Sequence, residues 1–120
     1  MSVVLAIALV LSAQSPALER TALDGTASWY RTPGLTAAAG PALRHALGRD
    51  WRGQLVKVCA RNCVTVRLTD WCQCYGGERR ERLLDLADAA FARIAPLAAG
   101  LVRVTVSPIV PPATDIEGPR

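Results

Sequence analysis

Aromatic side chains are scarce in this sequence. They make up 5% of the 120 residues, and the chain has one phenylalanine, one methionine and one histidine. A core with few rings must be built from Val, Leu, Ile and Ala, which agrees with an apolar content of 51%. We find no internal repeat, and the length leaves room for one domain. A domain of this size buries only about 60–65% of its unfolded surface, so it is marginally stable without cross-links.

Long apolar runs are also missing. The longest, Val3–Leu11, is too short for a bilayer span, which needs about 20 residues. Small and polar residues follow it, a pattern typical of a secretory signal, although no Lys or Arg precedes it and a buried strand or helix is the alternative. We therefore expect a signal peptide or leader at residues 1–23, a domain at 24–107 and a disordered Pro-rich tail at 108–120. This organisation predicts a secreted, periplasmic or wall-associated protein.

The charge is positive and uneven. The chain has a net charge of +4, and the segment Gly25–Val106 holds twelve Lys or Arg against six Asp or Glu. A basic domain suits an anionic partner, although scattered arginines also serve solubility. No predicted helix has a basic stripe and no alternation of aromatic residues suggests a platform for stacked bases, so we expect no nucleic-acid partner.

Four cysteines lie close together, an even number that favours disulfides in an oxidising compartment. A metal site and free buried thiols are the alternatives, but a Cys-x-Cys pair fits zinc poorly, and we expect no metal or cofactor. A Cys59–Cys63 disulfide is favoured because these residues face each other across a predicted hairpin. A Cys72–Cys74 bond would be strained, and a crossed pairing of hairpin with loop is the alternative.

Period-two alternation predicts several short strands. The clearest are Leu55–Cys59 and Cys63–Thr69, which form the hairpin. Further strands are predicted at Gly25–Tyr30, Leu83–Leu86 and Leu101–Val106. The segment Leu35–Leu47 reads as irregular with one helical turn near Ala42–Leu47, and Ala87–Ala95 has the spacing of a short helix. Short strands with one short helix predict a mainly β, compact barrel.

Five segments, in this order, resemble a known family: GTASWY, TAAAGPAL, VRLTD, LLDLADAAFARIA and GLVRVTV. They are similar to the rare lipoprotein A family and to its relatives, the expansins, the barwins and the family 45 endoglucanases. The resemblance runs from about Gly25 to Val106 and implies a six-stranded double-psi β-barrel. Cys72, directly after the TDW sequence, resembles the expansin and barwin side.

The resemblance implies an open polysaccharide groove lined by two acids, Asp70 and Asp85. Trp29 and Tyr30 match the aromatic motif of the first strand, and His45 matches a family histidine only loosely. The chain also departs from these relatives. Trp71-Cys72-Gln73-Cys74 replaces the Arg-Gly-Pro of rare lipoprotein A proteins and their nearby histidine, and Leu83-Leu84-Asp85 replaces the His-Phe-Asp of expansins.

Cleavage of a glycosidic bond needs an acid that protonates the leaving oxygen, and inversion also needs a base. Lytic transglycosylases manage with one carboxyl group, because a substrate hydroxyl closes onto the anomeric carbon. We predict Asp70 as the acid, since burial after an apolar strand would raise its pKa. The alternative is a carboxylate paired with Arg67 or holding the loop backbone. Asp85 is the second candidate, or else a helix cap.

Other side chains could hold the polymer. Aromatic rings stack on sugar faces, although core packing is the alternative for Trp29 and Trp51. The candidates for stacking are Trp29, Tyr30, Trp71 and Tyr75. Three arginines, Arg79, Arg80 and Arg82, form either a solvated face or contacts to carboxylates of peptidoglycan stem peptides.

Three functions fit these features. The first is a monomeric peptidoglycan-active enzyme, a lytic transglycosylase or weak hydrolase that uses Asp70. The second is an expansin-like module that binds or loosens peptidoglycan or another wall polysaccharide without cutting it. The third is a secreted inhibitor or structural module that uses the barrel only as a scaffold.

Overall fold

A computed structural model describes residues 22–109, which form a closed barrel. Most of the predicted leader, residues 1–23, and of the predicted tail, residues 108–120, lies outside the described residues. The strands are β1 (Leu23–Tyr30), β2 (Thr36–Ala39), β3 (Leu55–Cys59), β4 (Cys63–Trp71), β5 (Leu84–Ala87) and β6 (Val102–Pro108). The helices are α1 (Pro41–Leu47), α2 (Asp88–Ile94) and a 3₁₀ turn (Leu97–Ala99).

The strands follow one another around the barrel in the order β1-β5-β2-β4-β3-β6, and β6 pairs back with β1. The β1–β5 and β2–β4 pairs are parallel, and the other four pairs are antiparallel. Full closure leaves no exposed sheet edge, which makes a small β domain stable against edge-to-edge association. This architecture confirms the mainly β barrel predicted from the strand pattern and the six strands that the family resemblance implies.

Alternation along the strands builds the core. Valines at every second position of β3 and β4 point inwards and are almost fully buried, while Lys57, Thr65 and Arg67 point to solvent. Helix α2 packs against β1, β4 and β5. The largest fully buried side chains are Phe91, Leu43, Leu68, Leu84, Leu86, Val56, Val58, Val66 and Val106.

Strand β2 is the element that sequence reasoning misses. Its residues, Thr36–Ala39, lie in the segment predicted to be irregular, because alanine has a low preference for strands. The strand forms because it lies between β4 and β5 and pairs with both. Its three alanines are 0–3% exposed, so only small side chains fit there.

The structure has two short α-helices where the sequence predicts one. Helix α2 lies within the predicted Ala87–Ala95, but α1 replaces the single turn expected near Ala42–Leu47. Pro41 is suited to the first turn of α1 because its fixed φ matches the helix. Gly48 ends the helix with a φ of 87°, which favours glycine. Among residues 22–109, no helix has the length and apolar character needed to cross a membrane.

The favoured Cys59–Cys63 disulfide is present, and the other two cysteines also form a bond with each other. Cys59 is bonded to Cys63 across the hairpin, and Cys72 is bonded to Cys74 in the loop after β4. The crossed pairing and the free thiols are therefore wrong. Within the part of the chain that the structure describes, no group of three or more His, Cys, Asp or Glu is placed to hold a metal ion.

Candidate functional site

A bulge in β4 decides where Asp70 points. Leu68 of β4 pairs with Ala37 of β2, and Asp70 of β4 pairs with Ala38 of β2. Between these two pairs, β4 advances by two residues and β2 by only one. Thr69 is the extra residue of this β-bulge. In a regular strand, residues two apart point to the same face, and Leu68 is fully buried in the core. The bulge therefore moves Asp70 to the outer face of the barrel.

The loop before β3 holds this bulge in place. The guanidinium of Arg52 donates a hydrogen bond to the Thr69 carbonyl at 2.7 Å. The backbone N–H of Gly53 donates to the Leu68 carbonyl, also at 2.7 Å. Backbone carbonyls at a bulge lack their ladder partners, so these contacts satisfy groups that would otherwise be unpaired.

Four residues from four adjacent strands lie side by side on the face of the barrel wall that points away from the core, where Ser28 and Ala38 are themselves buried. Asp85 of β5 pairs with Ser28 of β1 on one side and with Ala38 of β2 on the other. Ala38 in turn pairs with Asp70 of β4. Paired residues of neighbouring strands project from the same face, so we call Ser28, Asp85, Ala38 and Asp70 the polar row. The Cα atoms of the two acids are two strand spacings apart, roughly 10 Å.

Asp85 is the half-buried carboxyl of the polar row. The hydroxyl of Ser28 donates a hydrogen bond to Asp85 Oδ1 at 2.9 Å. Burial raises the pKa of the Asp85 carboxyl above its ordinary value, and the Ser28 hydrogen bond and the charge of Arg82 oppose this rise only in part. Helix α2 begins at Asp88 with Ala87 as its N-cap and no side-chain cap, so Asp85 does not cap the helix.

Tyr30 lies near both acids. It pairs with Ala87 and projects from the same face of β1 as Ser28. Burial raises the pKa of the Tyr30 phenol, and the negative charges of Asp70 and Asp85 raise it further. The phenol therefore stays protonated and can donate a hydrogen bond at the polar row.

Asp70 is exposed, unlike Asp85. One of its carboxylate oxygens accepts a hydrogen bond from the backbone N–H of Trp71 at 2.8 Å. Arg67 donates to the carbonyl of Gly53 instead, and Asp70 forms no ion pair among residues 22–109. The burial predicted for Asp70 is thus absent, while the predicted contact to the loop backbone is present.

A pocket of about 470 Å³ opens beside Asp85. Asp85 and Ser28 form one part of its wall, and the Cys72–Cys74 loop with Tyr75 and Arg82 forms another. Asp70 and Tyr30 are not among the residues that line it. The pocket therefore adjoins one end of the polar row, and Asp70 stands outside it.

The Cys72–Cys74 loop has an unusual backbone that is held by close packing. Cys74 and Tyr75 have positive φ angles of 45° and 55°, which non-glycine residues adopt at a cost of about 1–2 kcal/mol each. The loop packs against the start of α1, where a Cβ on Gly40 would meet the Arg82 carbonyl at 2.6 Å. A Cβ on Gly76 would meet the Pro41 ring at 2.5 Å. Both glycines are needed for this approach.

The four predicted stacking residues lie in different environments. Trp29 is on the core side of β1, where its ring packs near Phe91 and its Nε1–H donates to the Leu97 carbonyl at 2.9 Å. Trp71 is 53% exposed, and the guanidinium carbon of Arg44 lies 5.4 Å from its ring centroid. The structure thus brings Tyr30 to the polar row but not Trp29.

Tyr75 borders the pocket, but two guanidinium groups lie over its ring. Their central carbons are 3.9 Å (Arg80) and 4.7 Å (Arg82) from the ring centroid. This arrangement makes Tyr75 a support for the arginines rather than an open sugar platform. His45 is exposed on α1, and Trp51 packs against the core edge beneath Arg52.

Sequence reasoning does not identify two contributors to the site. Ser28 bonds Asp85 from another strand, and no sequence pattern reveals that β1 and β5 are paired in this register. Arg44 donates from α1 to the carbonyls of Ala39 and Cys72, which joins the end of β2 to the loop. Both roles depend on long-range pairing, and an Arg in a short Ala-rich segment gives no signal of it.

A larger pocket, of about 700 Å³, lies at the hairpin end of β4. Its wall includes Cys59, Arg61 and Asp24, together with the start of β6. Asp24 accepts a hydrogen bond from the Thr105 hydroxyl at 2.7 Å, so its carboxylate is already engaged within the sheet. None of the predicted catalytic or stacking residues lines this pocket.

Comparison with known proteins agrees with the fold. Among solved structures, the chain is similar to the Streptomyces papain inhibitor, with 23% identity, a TM-score of 0.54 and coverage of 74% of this chain and 94% of that one. It is also similar to the expansin of Clavibacter michiganensis, as a mutant in complex with cellohexaose (19% identity) and in the apo form (20% identity). Both expansin structures have a TM-score of 0.60 and 77% of this chain covered, and the chain spans about half of the expansin, 52% of its length.

These identities show the common fold and no more. Comparison with curated protein sequences gives no match. A family model described as lytic transglycolase matches residues 22–106, which is nearly the whole described barrel. The chain therefore belongs to this lytic transglycolase family of double-psi β-barrel domains, in agreement with the resemblance of its sequence.

Proposed function

We propose that this domain binds a cell-wall polysaccharide, with peptidoglycan as the leading candidate, across the polar row and cleaves it as a lytic transglycosylase. The observation that supports this most strongly is the half-buried Asp85 carboxyl, which accepts a hydrogen bond from Ser28 and borders an open pocket. Two local disulfides and the family match suit a secreted wall-associated protein.

The chemistry requires a proton at the glycosidic oxygen. A carboxyl group with a raised pKa keeps its proton closer to neutral pH and can donate it as the bond breaks. The leaving oxygen takes this proton, and a hydroxyl of the same sugar attacks the anomeric carbon to close an anhydro ring. That hydroxyl gives up its own proton to the ionised carboxyl, which restores the acid. No external water or cofactor is consumed.

The two carboxyl groups then have different tasks. Asp85 is half-buried and is the better proton donor, although the sequence favours Asp70 for that role. Asp70 is exposed and beyond the pocket, where a carboxylate can accept hydrogen bonds from sugar hydroxyls or stabilise positive charge at the anomeric carbon. Asp70 as the acid is the competing assignment, and the two predict different mutant phenotypes.

The test is to incubate the protein, with its disulfides formed, with peptidoglycan sacculi. The released fragments are then examined by mass spectrometry for anhydro-sugar ends. Wild type should release them, and Asp85→Asn should lower the rate by about 10²–10⁴-fold, the usual contribution of a general acid. Asp70→Asn should lower it less. Asp50→Asn, which alters an exposed loop carboxyl, is the matched control and should act like wild type.

The opposite ranking, with Asp70→Asn inactive and Asp85→Asn active, would restore Asp70 as the acid. If wild type releases no fragments but sediments with sacculi, the domain is a wall-binding module like an expansin. This second function is favoured by one observation: no histidine lines the pocket, and His45 is exposed on α1. Neither release nor binding would leave only a scaffold or inhibitor role.

A further inference from the structure

The wall of the Asp85 pocket contains Arg82, an arginine that forms no ion pair among residues 22–109. Arg82 lines the pocket, and its Nε–H is buried without a hydrogen-bond partner among the described residues. The ion pairs within residues 22–109 join Arg31 to Asp88 and Arg80 to Glu78, so Arg82 belongs to neither. Unsatisfied buried donors are rare in folded proteins and call for a functional explanation.

The position of Arg82 is fixed by its surroundings. Its guanidinium stacks on the ring of Tyr75, whose backbone is held in the left-handed region by the disulfide loop. Its backbone N–H donates to the Cys74 carbonyl at 2.9 Å. Strained backbone conformations persist where the structure around them demands it, and they cluster at binding sites. The loop therefore presents a planar guanidinium at a defined place on the pocket wall.

Arg80 provides an internal comparison. It stacks on the same ring at 3.9 Å, but its Nε donates to Glu78 at 3.1 Å, and it is not among the residues that line the pocket. Of the two stacked arginines, only Arg82 has an Nε–H without a hydrogen-bond partner among the described residues and lines the pocket together with Asp85.

We propose that Arg82 is a specificity-determining residue that binds a carboxylate of the polysaccharide beside the bond on which Asp85 acts. This inference rests on the proposed function and narrows its substrate class to a carboxylate-bearing glycan, in preference to a neutral one. A guanidinium matches a carboxylate through two parallel N–H···O hydrogen bonds, a geometry that hydroxyl-only sugars do not offer.

Peptidoglycan has two sources of carboxylate. The lactyl ether of the muramic sugar is a free carboxylate only where the stem peptide has been removed. Where the peptide remains, the lactyl group is an amide and the carboxylates belong to the peptide. Chitohexaose has a similar amino-sugar backbone with neither group. These three glycans separate the alternatives.

The experiment is calorimetric binding of chitohexaose, peptide-free glycan strands and peptide-bearing strands. Asp85→Asn is present throughout, so that no bond is cut and the result does not depend on catalysis. Adding Arg82→Gln should lower the affinity for one or both carboxylate-bearing glycans tenfold or more, as expected for a lost charged hydrogen bond. Binding of chitohexaose should change less than twofold. Loss with only one carboxylate-bearing probe would identify the source of the carboxylate.

Two further variants separate recognition from folding. Arg82→Lys keeps the charge but loses the two-pronged geometry, so it should bind the carboxylate-bearing probe with intermediate affinity. Arg80→Gln should leave all three affinities within twofold. If Arg82→Gln lowered the affinity for all three glycans equally, or lowered none of them, the proposal would be overturned. Absence of cleavage by wild type would refute the proposed enzyme activity but leave this binding result intact.

Discussion

A disulfide lies near each end of strand β4, but the two disulfides stabilise different kinds of structure. At the hairpin end, the Cys59–Cys63 bond joins directly paired residues of two regular strands. At the site end, the Cys72–Cys74 bond lies in a loop with positive φ angles that packs on α1. The first disulfide reinforces a structure that strand pairing already forms. The second holds an arrangement that the backbone alone disfavours.

The pocket at the hairpin end and the pocket beside Asp85 differ in size and in the chemistry of their walls. The larger pocket lies at the hairpin end and the smaller one at the site end. Of these two pockets, only the smaller one joins a half-buried carboxyl of raised pKa to an arginine whose Nε–H has no hydrogen-bond partner among the described residues. The chemistry of the wall, rather than its volume, is therefore the basis on which we propose this end of the barrel as the functional end.

The largest difference is expected when each disulfide is removed in turn. Both double variants, Cys72→Ser with Cys74→Ser and Cys59→Ser with Cys63→Ser, should lose roughly 2 kcal/mol of stability, since both close short loops. Cleavage of sacculi should fall about tenfold or more only without the Cys72–Cys74 bond, because Tyr75 and Arg82 lose their support. Chemical denaturation and rate measurements check this. Equal activity losses would remove the distinction between the ends.

Glycine substitutions sharpen the same comparison. Gly40→Ala places a Cβ 2.6 Å from the Arg82 carbonyl, so the loop must move, and we expect a loss of about 1–3 kcal/mol. Gly100→Ala meets nothing within 4 Å and is opposed only by its φ of 74°, at a cost of about 1–2 kcal/mol. The free energy of unfolding measures both. Gly40→Ala should also lower the affinity for sacculi more than Gly100→Ala does. A lower affinity in Gly100→Ala than in Gly40→Ala would contradict this.

Trp29, which is partly buried, and Trp71, which is exposed, should respond differently to loss of the indole N–H. Trp29→Phe removes the hydrogen bond to Leu97 and should destabilise the protein by about 1 kcal/mol. Trp71→Phe changes a mostly exposed ring and should stay within about 0.5 kcal/mol of wild type. Thermal unfolding gives both values. If Trp71→Phe were the more destabilising, the assignment of Trp29 to the core side would fail.

The smallest effect concerns pH. Because folding raises the pKa of Asp85, the folded state binds its proton more tightly than the unfolded chain does. The resulting stability is present at low pH and is lost as the pH rises from about 3.9, the unfolded value, through the raised folded value. Asp85→Asn cannot ionise, so it should melt above wild type at pH 7 and match it near pH 3. A melting temperature below that of wild type at pH 7 would contradict the role of burial.

The sequence predicts the elements held by local contacts better than those that depend on long-range pairing. Alternation alone locates the β3–β4 hairpin and its disulfide, since those contacts are local. Strand β2 escapes detection because its alanines form a strand only between two long-range partners, whereas helix α1 is anticipated only as a single turn near Ala42–Leu47. Both acids can be found from the family resemblance. Their relative burial cannot, because it depends on the Thr69 bulge and on the register that brings Ser28 to Asp85.

The most direct test of the central claim, that Asp85 is the acid, is the pH dependence of anhydro-end release in wild type and Ser28→Ala. The Ser28 hydrogen bond lowers the pKa of Asp85, so its removal raises that pKa. The rate should fall with rising pH as Asp85 ionises, and the midpoint of this fall should move to higher pH in Ser28→Ala. A midpoint that does not move, or that moves to lower pH, would contradict the assignment.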